Sequence, residues 1–534
     1  MLKKCCVVLI VCLISFTQAS FAKPGNLAEK QILRRGNGSE VQTLDPHKAE
    51  GVPASNILRD LYEGLTIESP DGKVIPGAAE SWEISDDGKM YTFHIRKNAR
   101  WSNGDPVTAE DFVYGLRRSV DPATGSQYSQ ILAPILNAED IISGKKPVAS
   151  MGVEAVDDHT LKITLKAATP YLLGLLNHST TYPVHRGSVE QHGEQFSRPG
   201  KLVSNGAYKL KEWKVQSQIV VQRNPMYWDN DNTIIEQVIY LPIEESSAEL
   251  KRYRAGELDI TGGIPTNQYS WIMKNLPGEL HVTPTLGTYY YGFNLTRPPF
   301  KDNLKLRQAL SMAVDREILT EKITKAGEIP AYGWVPPGVN NYSSQSLDYA
   351  KMPKAERIKK AQQLYQQAGY SRGNPLTVEI RYNTSENHKK IAVGISAMWK
   401  KNLGIRTKLI NEEWKVFLEN RKQKKLTEAF RGGWIGDYND AFTFSELMQS
   451  DHGINDSGYN SPEYDKLLEQ AATESDLHKR RSIQESAERL LIKDHAIKPI
   501  YDNVTKHLIK PYVKGYQPNI LDHTYSKNLW ISKH

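Results

Sequence analysis

The chain offers almost no sulfur chemistry. Its three cysteines, Cys5, Cys6 and Cys12, fall at the very start, so the rest can form no disulfide, thiolate metal site or cysteine nucleophile. Long apolar runs are missing too. After the first 25 residues nothing approaches the ~20 apolar residues that cross a bilayer. There is no glycine-rich phosphate loop ending in Lys-Ser/Thr, no serine nucleophile elbow and no His-Glu-x-x-His zinc helix. The 14 histidines are scattered, and the loop histidines His185 and His192 are not expected to hold a metal. No solenoid repeat, low-complexity stretch or long linker occurs. The formal charge of +7 is small beside 68 basic and 61 acidic residues. The cluster Arg421-Lys422-Gln423-Lys424-Lys425 reads as a solvated helix face rather than a nucleic-acid patch. Carboxylates are abundant, and counting them singles out no acid/base pair.

What is present begins at the N-terminus. Lys3 and Lys4 precede an apolar block from Cys5 to Phe16, and Ser20-Phe21-Ala22 follows. This is the pattern of a secretory signal peptide with cleavage after Ala22. The block is too short for a membrane anchor, and Cys12 lies inside it, so lipid attachment is not expected. At ~150 residues per domain, 534 residues predict two to four domains. Hydrophobic content of 39% and charged content of 24% are those of a soluble globular protein, here held by its core alone.

From residue 23 a polar entry runs through Gln42-Thr43-Leu44-Asp45-Pro46. Ile57, Leu58, Leu61 and Leu65 recur at helical spacing behind Ser55 as the expected cap. Trp101 to Phe112 reads as a turn into a helix capped by Thr108, with Asp111 closing a capping box. Val153–Val156 and Thr160–Leu165 read as strands around an Asp157-Asp158 turn. Ser246–Ala255 reads as a helix, Leu258–Thr261 as a short strand, and Tyr289–Asn294 as a strand packed on both faces. Helices are expected over 304–325 and 353–368. Leu376, Val378, Ile380 and Tyr382 then alternate as a strand, and Ser385 caps a helix that Gly404 ends. Ile405–Ile410 is a strand, Glu412–Lys425 a helix and Thr427–Trp434 a strand. This β-α-β-α-β order specifies parallel strands with right-handed crossovers. Two helices over 461–494 and a strand-like tail from 498, which carries Tyr501, complete the chain.

Ligands of such sheets sit outside the carboxyl ends of the strands. Three loops leave those ends here, 383–388, 411–414 and 434–440, and they carry Asn383, His388, Trp414, Trp434 and Asp437. The stretch Arg431-Gly432-Gly433-Trp434-Ile435-Gly436-Asp437 stands out. Its glycines let another backbone approach closely. An acid, flat aromatics and bare backbone together suit a ligand with a charged amine and a main chain of its own. The structural alternative is a buried strand with a glycine turn and a helix-capping Asp.

At this point the residues resemble a family. The markers are Leu44-Asp45-Pro46-His47-Lys48, Leu61-Tyr62-Glu63-Gly64-Leu65, Trp101 to Phe112, Asn224-Pro225-Met226-Tyr227-Trp228, Arg252 to Gly256, Thr288 to Tyr291, Trp399 to Gly404 and Gly436-Asp437-Tyr438-Asn439. In order, over about Leu33 to His534, they resemble the periplasmic oligopeptide-binding proteins, the extracytoplasmic solute-binding family 5 of peptide ABC transporters. The resemblance implies an α/β, three-lobed periplasmic-binding-protein fold (type II, peptide-binding class) with mixed sheets and a two-segment hinge. The implied division is a signal peptide 1–22, lobe I from 23–63, 187–286 and 503–534, lobe II 64–186 and lobe III 287–502.

The resemblance also implies roles. Asp437 pairs with the peptide's α-ammonium through a charge-assisted contact that strengthens when closure excludes water. Backbone over Gly432–Ile435, Gly433 included, and around Gly287 pairs with the ligand main chain as an added strand, which implies broad specificity. Glu50 and Val52 face the cleft from lobe I, Tyr128 from lobe II, and Tyr501 joins the site. Trp414 and Trp434 wall side-chain pockets. Arg431, Arg421 and His388 are the cationic groups for carboxylates. Thr324 aligns where oligopeptide binders carry a lysine, Ile435 and Gly287 replace cysteines, and the Gly262-Gly263 loop is shorter; these departures concern the far end of the ligand. Leu286-Gly287-Thr288 and Gly436-Asp437 look more like the murein-tripeptide branch of the family.

The implied protein is a periplasmic, non-enzymatic and monomeric receptor for short peptides. It would serve an inner-membrane peptide ABC permease and need no cofactor, metal or nucleic acid. Rival readings are a murein-tripeptide receptor, an exported hydrolase and a periplasmic holdase chaperone.

Overall fold

The computed structural model describes residues 25–474 and 476–534, so the expected signal peptide and its cleavage site lie outside the described residues. No helix among the described residues is long and apolar enough to cross a membrane. Three main sheets organise the chain. The first has the order β1 (Ile32–Gly36), β8 (Gln237–Leu241), β7 (Gln218–Arg223), β6 (Tyr208–Lys214), and only β1 and β8 pair parallel. The second is antiparallel, in the order β2 (Ala79–Ile84), β3 (Met90–Ile95), β5 (Thr160–Thr164), β4 (Val153–Asp157). Its cover is α2 (Ala109–Val120), where the expected capping box forms: the Thr108 N–H donates to the Asp111 carboxylate at 2.8 Å.

The third sheet has six strands. A two-residue strand at Ile329–Pro330 is followed by β13 (Ile497–Leu508), β9 (Leu280–Phe293), β12 (Ala429–Ile435), β10 (Thr377–Asn383) and β11 (Arg406–Glu412). The expected β-α-β-α-β unit is present. β10 lies between β11 and β12 and is parallel to both, with α4 (Glu386–Leu403) and α5 (Trp414–Gln423) as crossovers. Ser385 caps α4 and Gly404 ends it in the left-handed region at φ 79°. The sheet as a whole is mixed, because β9 joins β12 antiparallel.

Some expected elements differ. α1 (Val52–Leu61) starts before Ser55, since Pro53 fits the first helical turn and Gly51 precedes it with φ 85°. The expected helix 304–325 breaks into α3 (Leu304–Met312), a short turn Arg316–Ile318 and a π-helical turn Leu319–Thr324, because the Asp315 side chain accepts from Ile318 N–H and restarts the helix. Leu258–Thr261 makes no strand; Ile260 forms only isolated bridges to Arg35 and Ile509.

β9 and β13 are the two long segments that leave the third sheet together. Their ladder is interrupted between Pro284↔Val504 and Thr288↔Asp502. There the Leu286 N–H donates to Ile520 O instead, at 2.8 Å.

Candidate functional site

A cavity of ≈460 Å³ lies outside the carboxyl ends of β10, β11 and β12. Facing it are the start of α1 from Glu50 to Arg59, Tyr128, and the tail residues Asn503, Thr505, Asp522 and His523. All the residues expected from the sequence line it except Gly287 and Tyr501.

The edge of β12 forms one wall. The Gly436 N–H donates to Leu286 O at 2.7 Å. Antiparallel alternation then turns Trp434 and Gly432 toward β9, and leaves the N–H and C=O groups of Gly433 and Ile435 pointing away from it. On that other side β10 pairs only at Ile380↔Ala429 and Arg381↔Phe430 before the strands part. Arg431 Nη1 reaches across the opening to Asn383 Oδ1 at 3.4 Å. Residues 431–435 therefore present bare strand edge to the cavity. Gly432 is required because the Tyr290 ring occupies the place of a Cβ, while a Cβ on Gly433 would meet only the end of Arg431.

Asp437 closes this edge at one end. Its backbone N–H donates to Thr443 Oγ1 at 3.1 Å. Its carboxylate lies 3.6 Å from Nε2 of His178. Burial pushes this acid up to about 7, opposed in part by the Arg59 guanidinium. Burial lowers His178 to about 3, with Arg59 and His523 acting in the same direction. Thr180 N–H donates to His178 Nδ1 at 3.3 Å, so Nε2 carries the ring proton and faces the acid. Tyr128 packs on His178 at 4.7 Å and against Trp434 at 6.0 Å between ring centres. The Trp434 indole N–H is buried without a hydrogen-bond partner. By contrast, the buried indoles of Trp334 and Trp399 donate to Phe444 O and Leu310 O.

At the other end, Arg431 lies over the Tyr289 ring at 5.1 Å, and Tyr289 stacks on Tyr501 at 4.6 Å. Tyr501 thus props the wall from behind and does not reach the cavity. Arg421 is paired with Asp456 at 2.6 Å and faces Glu50, whose carboxyl is held above its usual range by burial. Trp414 packs over Gly51, where a Cβ would come within 3.1 Å of the indole. His388 is not the cation expected from the sequence. Burial and the neighbouring Arg431 hold its pKa well below the ordinary value, and its Nδ1 lies 3.2 Å from the Tyr289 hydroxyl. Gly287 is not among the residues that line the cavity. It pairs with Ile435, and Asn503 Nδ2 would sit 2.8 Å from a Cβ there. Thr324 is buried off the cavity and donates to Glu328 at 2.7 Å, which in turn holds Lys506.

Among the cavity residues that sequence reasoning missed are Arg59, Asn503, Thr505, Asp522 and His523. Arg59 is one of two polar residues between Leu58 and Leu61 on α1, and nothing in a helical pattern separates a ligand-facing arginine from a solvated one. The tail residues reach the site from the far end of the chain.

Contacts bridge the cavity's mouth. Ser247 donates to Glu386 at 2.7 Å and Thr266 to Asn387 at 2.9 Å, while Tyr171 and Tyr438 stack at 5.0 Å. A cleft enclosed between lobes that share two connecting strands defines the class: a hinged solute-binding protein in its closed form. Residues 73–456 match the family model for bacterial extracellular solute-binding proteins, family 5, and the chain belongs to that family. It is 45% identical over 512 residues to the periplasmic oligopeptide-binding protein OppA of Escherichia coli, covering 95% of this chain and 94% of that protein. The structure of Haemophilus influenzae OppA in complex with RPPGFSPFR matches with TM-score 0.93 at 43% identity, covering 95% of this chain and all of that one. The murein tripeptide-binding protein MppA of E. coli matches with TM-score 0.93 at 43% identity and the same coverage. MppA in an unliganded open form, at 42% identity over 96% of this chain and 99% of that one, matches with TM-score 0.66. The chain described here thus has the closed arrangement.

Proposed function

We propose that this chain is the peptide-binding component of an ABC transporter. A short peptide would lie with its ammonium at Asp437 and its main chain along residues 431–435. The observation that carries this reading is the pairing of a buried carboxylate, which no cation contacts, with the bare edge of β12 in one cavity. Charge-assisted capture of an ammonium and strand addition are the contacts such a site can supply. Oligopeptide binding by both OppA relatives supports it. Closure is a hinge motion of lobes I (23–63, 187–286, 503–534) and III (287–502) about the β9–β13 ladder break, with lobe II (64–186) contributing Tyr128 and His178. The chain acts by binding alone, as a monomer, in the periplasm after removal of residues 1–22, and hands its ligand to an inner-membrane permease. Calorimetric titration with tri-lysine and with N-acetyl tri-lysine tests the reading, and mass spectrometry of the incubated peptide tests for turnover. Equal affinities, or cleaved peptide, would overturn it.

A second reading, a receptor for the murein tripeptide L-Ala-γ-D-Glu-diaminopimelate, is supported by the cavity's Arg59, Arg421 and Arg431 and by the likeness to MppA. The γ-linkage disrupts regular strand pairing, so a site tuned to it would bind the tripeptide far more tightly than tri-lysine.

A further inference from the structure

Three arginines line the cavity. Arg421 is committed to Asp456 and Arg431 spans the strand opening to Asn383. Arg59 differs. It stands on α1, one turn beyond Ser55, and lines the same cavity as Asp437. Among the described residues its guanidinium has neither a hydrogen bond nor an ion pair, and it acts on Asp437 through charge alone.

The other charged and titratable groups around Arg59 are already occupied. Glu68 is bonded to His523 and to Asn177. Asp522 is held by His507 at 2.9 Å. His178 turns its N–H toward Asp437. Asp437 and Arg59 are therefore two groups of opposite charge, lining one cavity, that no ion of opposite charge on another side chain contacts. Arg59 acts by charge on Glu68 as well, but no acid touches its guanidinium, and a guanidinium held partly out of water without such a contact costs solvation that an incoming anion returns.

We infer that Arg59 is a specificity-determining residue that receives a ligand carboxylate close to the free amine. The ligand class is a peptide with an acidic residue at its first or second position, or with a γ-linked glutamate whose α-carboxyl is left free. The inference rests on the proposed capture of the ammonium by Asp437, since that contact places the ligand's first residues beside Arg59. It differs from that proposal in asking for a second charge of opposite sign on the ligand.

The test uses full-length wild type and Arg59→Met, titrated with Ala-Glu-Lys, Ala-Gln-Lys and N-acetyl-Ala-Glu-Lys. Wild type is expected to prefer the Glu peptide by ~10-fold, the scale of a desolvated carboxylate–guanidinium contact. Arg59→Met is expected to reduce that ratio to near one while the acetylated peptide stays much the weaker ligand of both proteins. Arg59→Lys, which keeps the charge without the fork, is expected to keep part of the ratio and serves if the Met variant folds poorly. Equal binding of the Glu and Gln peptides by wild type overturns the inference. So does a preference that survives Arg59→Met. If acetylation has no effect on wild type, it is the ammonium site at Asp437 that fails, and the two failures are told apart.

Discussion

The Asp437 carboxylate lies 3.6 Å from His178 Nε2, and burial suppresses the charge of both. The acid is raised to about 7 and the imidazole lowered to about 3, so His178 is a neutral donor, not a counter-ion, at every pH where the acid ionises. A ligand ammonium would then be the first true partner for this carboxylate.

Binding is therefore expected to release a proton. The ligand-free acid titrates near 7, and an ammonium beside it favours the charged form and draws its pKa down. Affinity for a free-amine peptide should be full above that value. It should fall by up to ~10-fold per pH unit below it, until the bound-state value is passed. Calorimetry at pH 6 in buffers of different ionisation heat should read close to one proton released. A flat dissociation constant between pH 5.5 and 8 would remove Asp437 as the ammonium's partner.

The same carboxyl makes a stability statement. Its folded value of about 7 stands above the ordinary 3.8. A raised acid contributes stability that is fully present below the unfolded value and lost as pH rises through the folded one. Asp437→Asn never ionises, so the ligand-free variant should melt higher than wild type at pH 8 and about level with it at pH 4. The gain at pH 8 should be on the order of 2 kcal/mol, cavity water reducing the cost of the buried charge. Equal shifts at both pH values would assign the effect to packing.

Neighbouring glycines should behave differently. Gly432→Ala sets a methyl against the Tyr290 ring, which is fixed edge-on against Trp334 at 5.0 Å. Overpacking of this kind costs about 1–3 kcal/mol and should lower the melting temperature. Gly433→Ala meets only the guanidinium end of Arg431, so its melting temperature should stay close to wild type. If both variants melt alike, the close approach of Tyr290 is not what demands glycine at 432.

Much of this wall is legible in the sequence. Alternation at Leu376–Tyr382, the Ser385 cap and the Gly404 stop locate β10 and α4 to within a residue or two. The parallel unit then points to the loops that carry Asn383, Trp414 and Asp437. What stays hidden is set by contacts distant in sequence. Burial beside Tyr289, with Arg431 adjacent, makes His388 neutral, a fate no local pattern encodes. Gly287 looks like open backbone in one strand, and it is crowded by the Ile435 and Asn503 side chains, both distant in sequence. Arg59, Asn503 and Asp522 converge from both ends of the chain, which only the closed fold brings together.

The bonds across the mouth are a handle on closure. Glu386 and Asn387 begin α4 on one side, and Ser247 and Thr266 answer from the other. These bonds span the cleft in the closed form, and opening separates their partners. A double variant, Glu386→Ala with Asn387→Ala, should shift the ligand-free population toward the open form and leave each lobe's own core untouched. Apparent affinity falls with the fraction of closed protein, so a loss of roughly 3- to 10-fold is expected for every ligand alike. Small-angle scattering should show a larger ligand-free radius of gyration and an unchanged liganded one. A loss confined to one class of peptide would mean that these residues read the ligand itself and not the closing of the lobes.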